Sequence, residues 1–307
     1  MSIDLRYSFI PLFASYIACV LIVPYVITIG RKFRIYDIPS ARKIHKEPKI
    51  RLGGVAIYSS FCIGILISIF LFKNSYFHNP NNLKILITLM ISFLSYSLLG
   101  LLDDIYKISF QKRLILQFLI VFFVWLNDIR IDNLSFSILP FQANLEINAI
   151  TSYILTSIWI VGIINAINWI DGLDGLSAGY VTIVSIAFLY LSFNFDNYYL
   201  VPIIFSIIGS CLGFLKYNFF PSKILMGDGG SNFLGSFLAI VSLLALKSPT
   251  QPFNFLPSIF LLSVPLIDMI FVILNRIINK KSPFLPDNNH LHHRMLSLGL
   301  SHKNTVY

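Results

Sequence analysis

Residues 85–104 read ILITLMISFLSYSLLGLLDD, an apolar run that ends on two adjacent carboxylates, Asp103 and Asp104. A helix rises about 1.5 Å per residue, so about 20 such residues cross the hydrocarbon of a bilayer. Runs near that length begin around Ser8, Gly53, Ile85, Leu114, Ala149, Ser177, Tyr199, Gly229 and Phe253. The expected fold is therefore all-α and integral to the membrane, a polytopic bundle of about nine transmembrane helices. No Pro/Ser linker and no internal repeat interrupts residues 1–307, which read as a single domain.

Composition agrees. Hydrophobic residues make up 56% of the chain and charged ones 12%, against about 25% charged in a soluble domain, and the mean hydropathy is +0.76. A soluble core could not hide so much Phe, Ile and Leu without leaving an aggregating surface. The first apolar run lacks a small-residue cleavage site and reads as a span, not a signal peptide. Cys19, Cys62 and Cys211 lie in apolar runs without CxxC spacing, which argues against a zinc site or a disulfide framework.

The basic residues orient the bundle. Of 23 Lys and Arg, 18 fall in the loop 31–51, the stretches near 103–113, 165–176 and 216–228, and the tail from 274; eight lie in 31–51 alone. Arg6, Lys73, Lys84, Arg130 and Lys247 are left for the other side. The positive-inside rule makes the crowded side cytoplasmic, so the net charge of +9 is mostly an orientation signal and calls for no nucleic-acid partner. On the other side, 127–148 alternates around Ile129, Ile131, Leu134, Phe136 and Ile138, as a short strand or hairpin lying over the membrane does.

Nine of the 14 acidic residues lie on the basic side: Asp37, Glu47, Asp103, Asp104, Asp171, Asp174, Asp228, Asp268 and Asp287. Carboxylates at the edge of hydrocarbon are costly, and function is the default explanation for them. Any one could merely cap a helix, as Asp228 before Gly229-Gly230-Ser231 could; five in short Gly-containing segments are harder to dismiss. Hard oxygen ligands without Cys suit magnesium, which takes one or two carboxylates plus phosphate oxygens. Asp103 and Asp104 diverge by about 100° on a helix, so they should do different work. Asp171 and Asp174 flank Gly172 in a turn that lets a ligand approach backbone N–H groups. His290-Leu291-His292-His293-Arg294 reads either as a solvated His-rich tract or as a pyrophosphate clamp. For Arg42-Lys43-Ile44-His45-Lys46, orientation charge alone is a sufficient account, lifted only by His45 and the following Gly53-Gly54.

Taken together, these blocks resemble the polyprenyl-phosphate N-acetylhexosamine-1-phosphate transferases (glycosyltransferase family 4), whose superfamily includes the phospho-N-acetylmuramoyl-pentapeptide transferases. The likeness runs from about Arg31 to Ser301 through Arg42–Gly54, Asp103-Asp104, Asn165–Leu176, Gly227–Ser231 and Pro283–Arg294, in the family's order. It implies transfer of a sugar-1-phosphate from a UDP-N-acetylhexosamine to undecaprenyl or another polyprenyl phosphate, releasing UMP and starting a lipid-linked glycan. It implies magnesium, with manganese as an admissible substitute, and a bacterial plasma (inner) membrane enzyme with its site on the cytoplasmic face; a homodimer is compatible with it. By motif, Asp103, Asp104 and Asp228 are the expected catalytic residues. Asp228, Asp103 and Asn168 are the expected metal ligands. His45, Arg113, Asn168, Asp171, Asp174, Ser231, His292, His293 and Arg294 are expected to bind substrate. Trp169-Ile170 replace a Thr common in the muramoyl branch, a departure that bears on sugar choice. Relatives usually carry at least one more span after the histidine motif, so a missing final span is also expected.

Two other readings fit less well. CDP-alcohol phosphotransferases need an Asp-Gly-x-x-Ala-Arg run, whereas Asp174-Gly175 is followed by Leu176-Ser177-Ala178-Gly179. A cation-coupled transporter would place its acids near the midplane on repeated, broken helices, and here only Asp268 falls well inside an apolar run.

Overall fold

The computed structural model describes residues 9–39, 47–71, 79–138, 141–247, 255–282 and 290–306. His45, the rest of its basic tract and Asp287 lie outside the described residues. In chain order the helices are α1 (Ile10–Lys32), α2 (Gly53–Leu71), α3 (Pro80–Tyr106), α4 (Phe110–Leu126), α5 (Ala149–Ile170), α6 (Leu176–Asn194), α7 (Val201–Asn218), α8 (Asp228–Ala245), α9 (Leu256–Leu261), α10 (Ser263–Ile278), α11 (Leu291–Ser297) and α12 (His302–Val306). Two short antiparallel pairs complete the fold. Tyr36–Asp37 (β1) pairs with Lys49–Ile50 (β2), and Asn133–Ile138 (β3) pairs with Phe141–Glu146 (β4), Asn133 opposite Glu146.

Among the described residues seven helices, not nine, are long and apolar enough to cross a membrane, which makes the protein a multi-pass membrane protein. The run expected from Leu114 forms α4, with 17 residues between Ser109 and Asn127. That is about 26 Å of helix, short of a 30 Å hydrocarbon layer. The run expected from Phe253 breaks at Leu262 into helices of 6 and 16 residues. Pro265 explains the break, since it has no N–H for the Leu261 carbonyl and its ring crowds that group. The Tyr180 hydroxyl donates to the freed Leu261 carbonyl instead, at 2.7 Å.

Helix α8 is the axis of the bundle and packs against α2, α3, α5 and α6. In its apolar window 94% of residues are buried, against 22% for the peripheral α1. Lipid tails are as apolar as Leu, so helices in a bilayer associate through close backbone approach at small residues, and α8 carries Gly229, Gly230, Ser231, Gly235, Ser236, Ala239 and Ser242. A Cβ at Gly54 of α2 would collide with the backbone of Gly230, and one at Gly100 of α3 with the Asp228 carbonyl. Both ends of α8 are capped from elsewhere. The Gly229 N–H donates to Asp104 Oδ2 at 3.1 Å, and Asn197 Nδ2 donates to the carbonyls of Leu244, Ala245 and Lys247. Such caps matter most where water cannot satisfy a helix end.

The two ends of the bundle are chemically distinct. Lys84, Asp128, Arg130 and Asp132 form one ion-pair cluster, with the Lys247 ammonium on the Asp128 carbonyl. The motif residues gather at the opposite end.

The packing sets an expectation for two glycines. Gly54→Ala places a methyl against the backbone of Gly230 and should cost about 1–3 kcal/mol. Gly179 has nothing within 4 Å of its Cβ position, so Gly179→Ala in α6 should be neutral or gain about 0.5–1 kcal/mol. Thermal midpoints of the detergent-solubilised variants compare the two; equal midpoints would refute the close approach of α2 and α8.

Candidate functional site

Residues 50–54 are clipped to residues 225–226 by three backbone hydrogen bonds. Leu225 donates to the Ile50 carbonyl at 2.8 Å, Gly53 to the Leu225 carbonyl at 2.9 Å and Gly54 to the Met226 carbonyl at 2.8 Å. The clip carries Arg51 to the N-terminus of α8. There its Nη2 meets Asp228 Oδ1 at 2.7 Å, its Nε meets Asp104 Oδ1 at 2.8 Å, and Nη1 lies 3.6 Å from Asp37 Oδ1. Burial works against the charge on this guanidinium, but Asp228, Asp104 and Asp37 together hold its pKa above the ordinary arginine value. Asn168, in the last turn of α5, donates to Asp228 Oδ1 at 2.9 Å and to Ser231 Oγ at 2.8 Å. Ser231 is fully buried and positions Asn168.

Asp103 and Asp104 point apart, as their spacing requires. Asp104 joins Arg51 and Asp228, while Asp103 pairs with Arg113 Nη1 at 2.7 Å. Arg113 lies in the first turn of α4 and Asp103 in the last turn of α3, with Lys107 in the left-handed conformation between them. A cavity of about 610 Å³ lies against Asp103, Asp104, Asp228 and Arg113 and has an apolar wall that includes Ile35, Ile38 and Phe110.

A second cavity of about 230 Å³ lies across Arg51 and Asp37, which line both. Its floor is the turn after α5. Asp174 accepts from the Ser222 backbone N–H at 2.9 Å and from Lys49 Nζ at 3.3 Å. Gly175, at φ +86°, donates its N–H to Asn218 Oδ1 at 2.9 Å. The Ser177 hydroxyl donates to Asp171. Burial pushes the Asp171 carboxyl up to about 7; Ser177 and Arg51 pull against that shift, while Asp228 and Asp104 add to it.

The histidine motif behaves differently from a uniform clamp. Asp268 Oδ2 holds His290 Nδ1 at 2.9 Å, and its Oδ1 accepts from the Leu291 N–H at 2.7 Å, which anchors the start of α11. His292 packs so closely on Gly172 that a Cβ there would collide with its ring. Burial, reinforced by His293 and His290, pushes the His292 imidazole down to about 3, so it stays neutral near pH 7. His293 lines the smaller cavity. Arg294 is turned outward onto the Phe271 ring at 4.2 Å and lines neither cavity. Trp169 meets the His290 ring edge-on and lies under the Arg276 guanidinium at 5.1 Å.

The fold therefore brings Asp104, Asp228, Asn168, Asp171, Asp174 and His293 around Arg51, with Asp103 and Arg113 paired at one rim. Lys49, Arg51 and His302, which line the smaller cavity, and Asp268, which holds His290, are positions that sequence reasoning did not put forward. For Lys49 and Arg51 a signal existed, since both directly precede Gly53-Gly54, but orientation charge explained them equally well.

Comparison with known proteins follows the same residues. The family model of glycosyl transferase family 4 matches residues 85–246. A Bacillus subtilis (strain 168) protein named "Probable undecaprenyl-phosphate N-acetylglucosaminyl 1-phosphate transferase" is 34% identical over 95% of this chain and 78% of its own. The undecaprenyl-phosphate alpha-N-acetylglucosaminyl 1-phosphate transferase of Haemophilus influenzae is 30% identical over 87% of this chain and 73% of its own. A phospho-N-acetylmuramoyl-pentapeptide-transferase of Caldanaerobacter subterraneus is 31% identical over 68% of this chain and 70% of its own.

The raised Asp171 carboxyl makes stability depend on pH. A carboxyl whose folded pKa exceeds its unfolded value contributes stability fully below the unfolded value and loses it as pH rises through the folded one, here about 7. Asp171→Asn stays neutral throughout. Its thermal midpoint should therefore gain on the wild type as pH rises from about 5 to about 8, and a constant gap would overturn the buried assignment.

Proposed function

The chain belongs to glycosyl transferase family 4, and from that membership we propose that it transfers a sugar-1-phosphate from a UDP-N-acetylhexosamine to a polyprenyl phosphate. The observation that carries the reading is the pair of cavities meeting at Arg51. The smaller has Lys49, His293 and His302 in its lining, and the larger has Lys107 and Arg113 together with Ile35, Ile38 and Phe110. A soluble nucleotide sugar suits the first. A phosphate on a lipid suits the second, its charge near Arg113 and Lys107 and its chain along the apolar wall.

In this reading an oxygen of the lipid phosphate attacks the sugar-bearing phosphorus of the donor. The bond from that phosphorus to the UMP oxygen breaks, UMP leaves, and a sugar-diphospho-polyprenol remains. Phosphoryl transfer needs in-line positioning and charge neutralisation more than covalent help. Arg51 lies between the two cavities, where it can face phosphate oxygens from both substrates; Lys49 and His293 add donors on the nucleotide side. Asp103, held by Arg113, is at the acceptor rim.

Magnesium fits this donor set. Asp104 and Asp228 converge on one guanidinium, and Asn168 shares Asp228. Among the described residues no three His, Cys, Asp or Glu side chains form a self-sufficient metal site; magnesium commonly completes its shell with phosphate oxygens and water. Asp104 joins Asp228, Asn168 and Asp103 as a candidate ligand in this reading. When bound, the ion supplies neutralisation of charge on the diphosphate. The density of Lys and Arg at this end supports a cytoplasmic active site in a bacterial inner membrane.

Purified protein in detergent, given undecaprenyl phosphate, magnesium and a panel of UDP-N-acetylhexosamines, should release UMP only when lipid and metal are both present. Asp228→Asn should cut turnover roughly 100-fold or more, equivalent to about 3 kcal/mol at 1.36 kcal/mol per tenfold. Full activity of that variant would remove Asp228 from the metal set, and UMP release without lipid phosphate would reject the transfer reaction.

A further inference from the structure

We infer that His302, brought to the smaller cavity by the segment after the histidine motif, is a binding residue for the nucleoside end of the donor. This rests on the donor reading above and adds a residue to it. The ring lines the cavity together with Phe220, and the two stack with centroids 4.4 Å apart and planes 26° from parallel. Phe220 remains 44% exposed, so the pair presents an aromatic wall to the cavity.

The hydrogen bonding of the imidazole fixes what it can offer. The Asp174 backbone N–H donates to His302 Nε2 at 3.1 Å, so Nε2 is the unprotonated nitrogen and Nδ1 carries the hydrogen. Burial holds the ring below the ordinary histidine pKa and so neutral near pH 7. Nδ1 is itself buried and has no partner among the described residues. With Nδ1 buried and Nε2 occupied by the Asp174 N–H, what the imidazole offers the cavity is its ring, beside that of Phe220.

Lys49 and Arg51 already supply cations to this cavity, so phosphate has better partners than a neutral imidazole. A neutral aromatic face matches the flat ring of a pyrimidine base. The position is also rigid, because Asp174 is tied to Lys49 and Ser222 on the opposite side of the same turn.

Titration calorimetry of UMP into the full chain in detergent tests this directly, alongside KM for UDP-N-acetylglucosamine and for undecaprenyl phosphate. His302→Ala should weaken UMP binding and raise the donor KM by roughly 3- to 10-fold, the range of one aromatic stacking contact. The acceptor KM and kcat should stay as in the wild type, and His302→Phe, which keeps an aromatic ring, should recover part of the loss. Wild-type UMP affinity in His302→Ala overturns the inference and leaves the donor reading intact. Equal losses for UMP and lipid with a lowered midpoint also overturn it, because the residue would then be structural. Failure of the wild type to bind any uridine nucleotide removes the donor reading and this inference with it.

Discussion

Two carboxylates and a guanidinium share a small volume at the membrane edge, and much of the site is organised around them. Asp104 has only 2% of its side chain exposed, Asp228 opens a helix that is otherwise buried, and Arg51 bridges both. A buried carboxylate without a partner is strongly destabilising, whereas a paired and hydrogen-bonded one is tolerated. Asp104 is paired with Arg51 and also accepts the Gly229 N–H; Asp228 at a helix N-terminus has the favourable end of the dipole. Arg51 can reach both only because residues 50–54 are hydrogen-bonded to 225–226. That register in turn needs α2 and α8 to approach at Gly54 and Gly230.

The same arrangement divides the site into two compartments. Arg51 and Asp37 line both cavities, and each cavity combines charged with apolar residues. In the proposed reaction two adjoining cavities give a water-soluble and a lipid substrate separate places. Asp104 and Asp228 stand on α3 and α8, which pack on one another, while Arg51 reaches both from the clipped segment 50–54. Asp268 performs a related service from a distance. By holding His290 and the start of α11, it presents His293 to the cavity and packs His292 on Gly172.

Much of this was legible in the residues alone. Apolar runs of bilayer length, the asymmetry of Lys and Arg, and carboxylates at the ends of runs dictate a polytopic helical protein with its polar chemistry at one end, because hydrocarbon admits little else. The divergence of Asp103 and Asp104 followed from helix geometry. The count of spans did not follow, because hydropathy cannot register that Pro265 frees a carbonyl for Tyr180 or that α4 stops at Leu126.

What the chain determined by itself was local: helices, apolar runs of membrane length, and the residue types gathered at one end of them. Only the tertiary structure decided partnership. Arg51 is separated from Asp228 by 177 positions, and Asp174 from His302 by 128, so no periodicity links them. Nothing in the composition distinguishes Arg51 from its basic neighbours, or His293 from an outward-facing Arg294. Pairing at that range is set by how helices pack on α8, through contacts whose energies depend on all the surrounding side chains together.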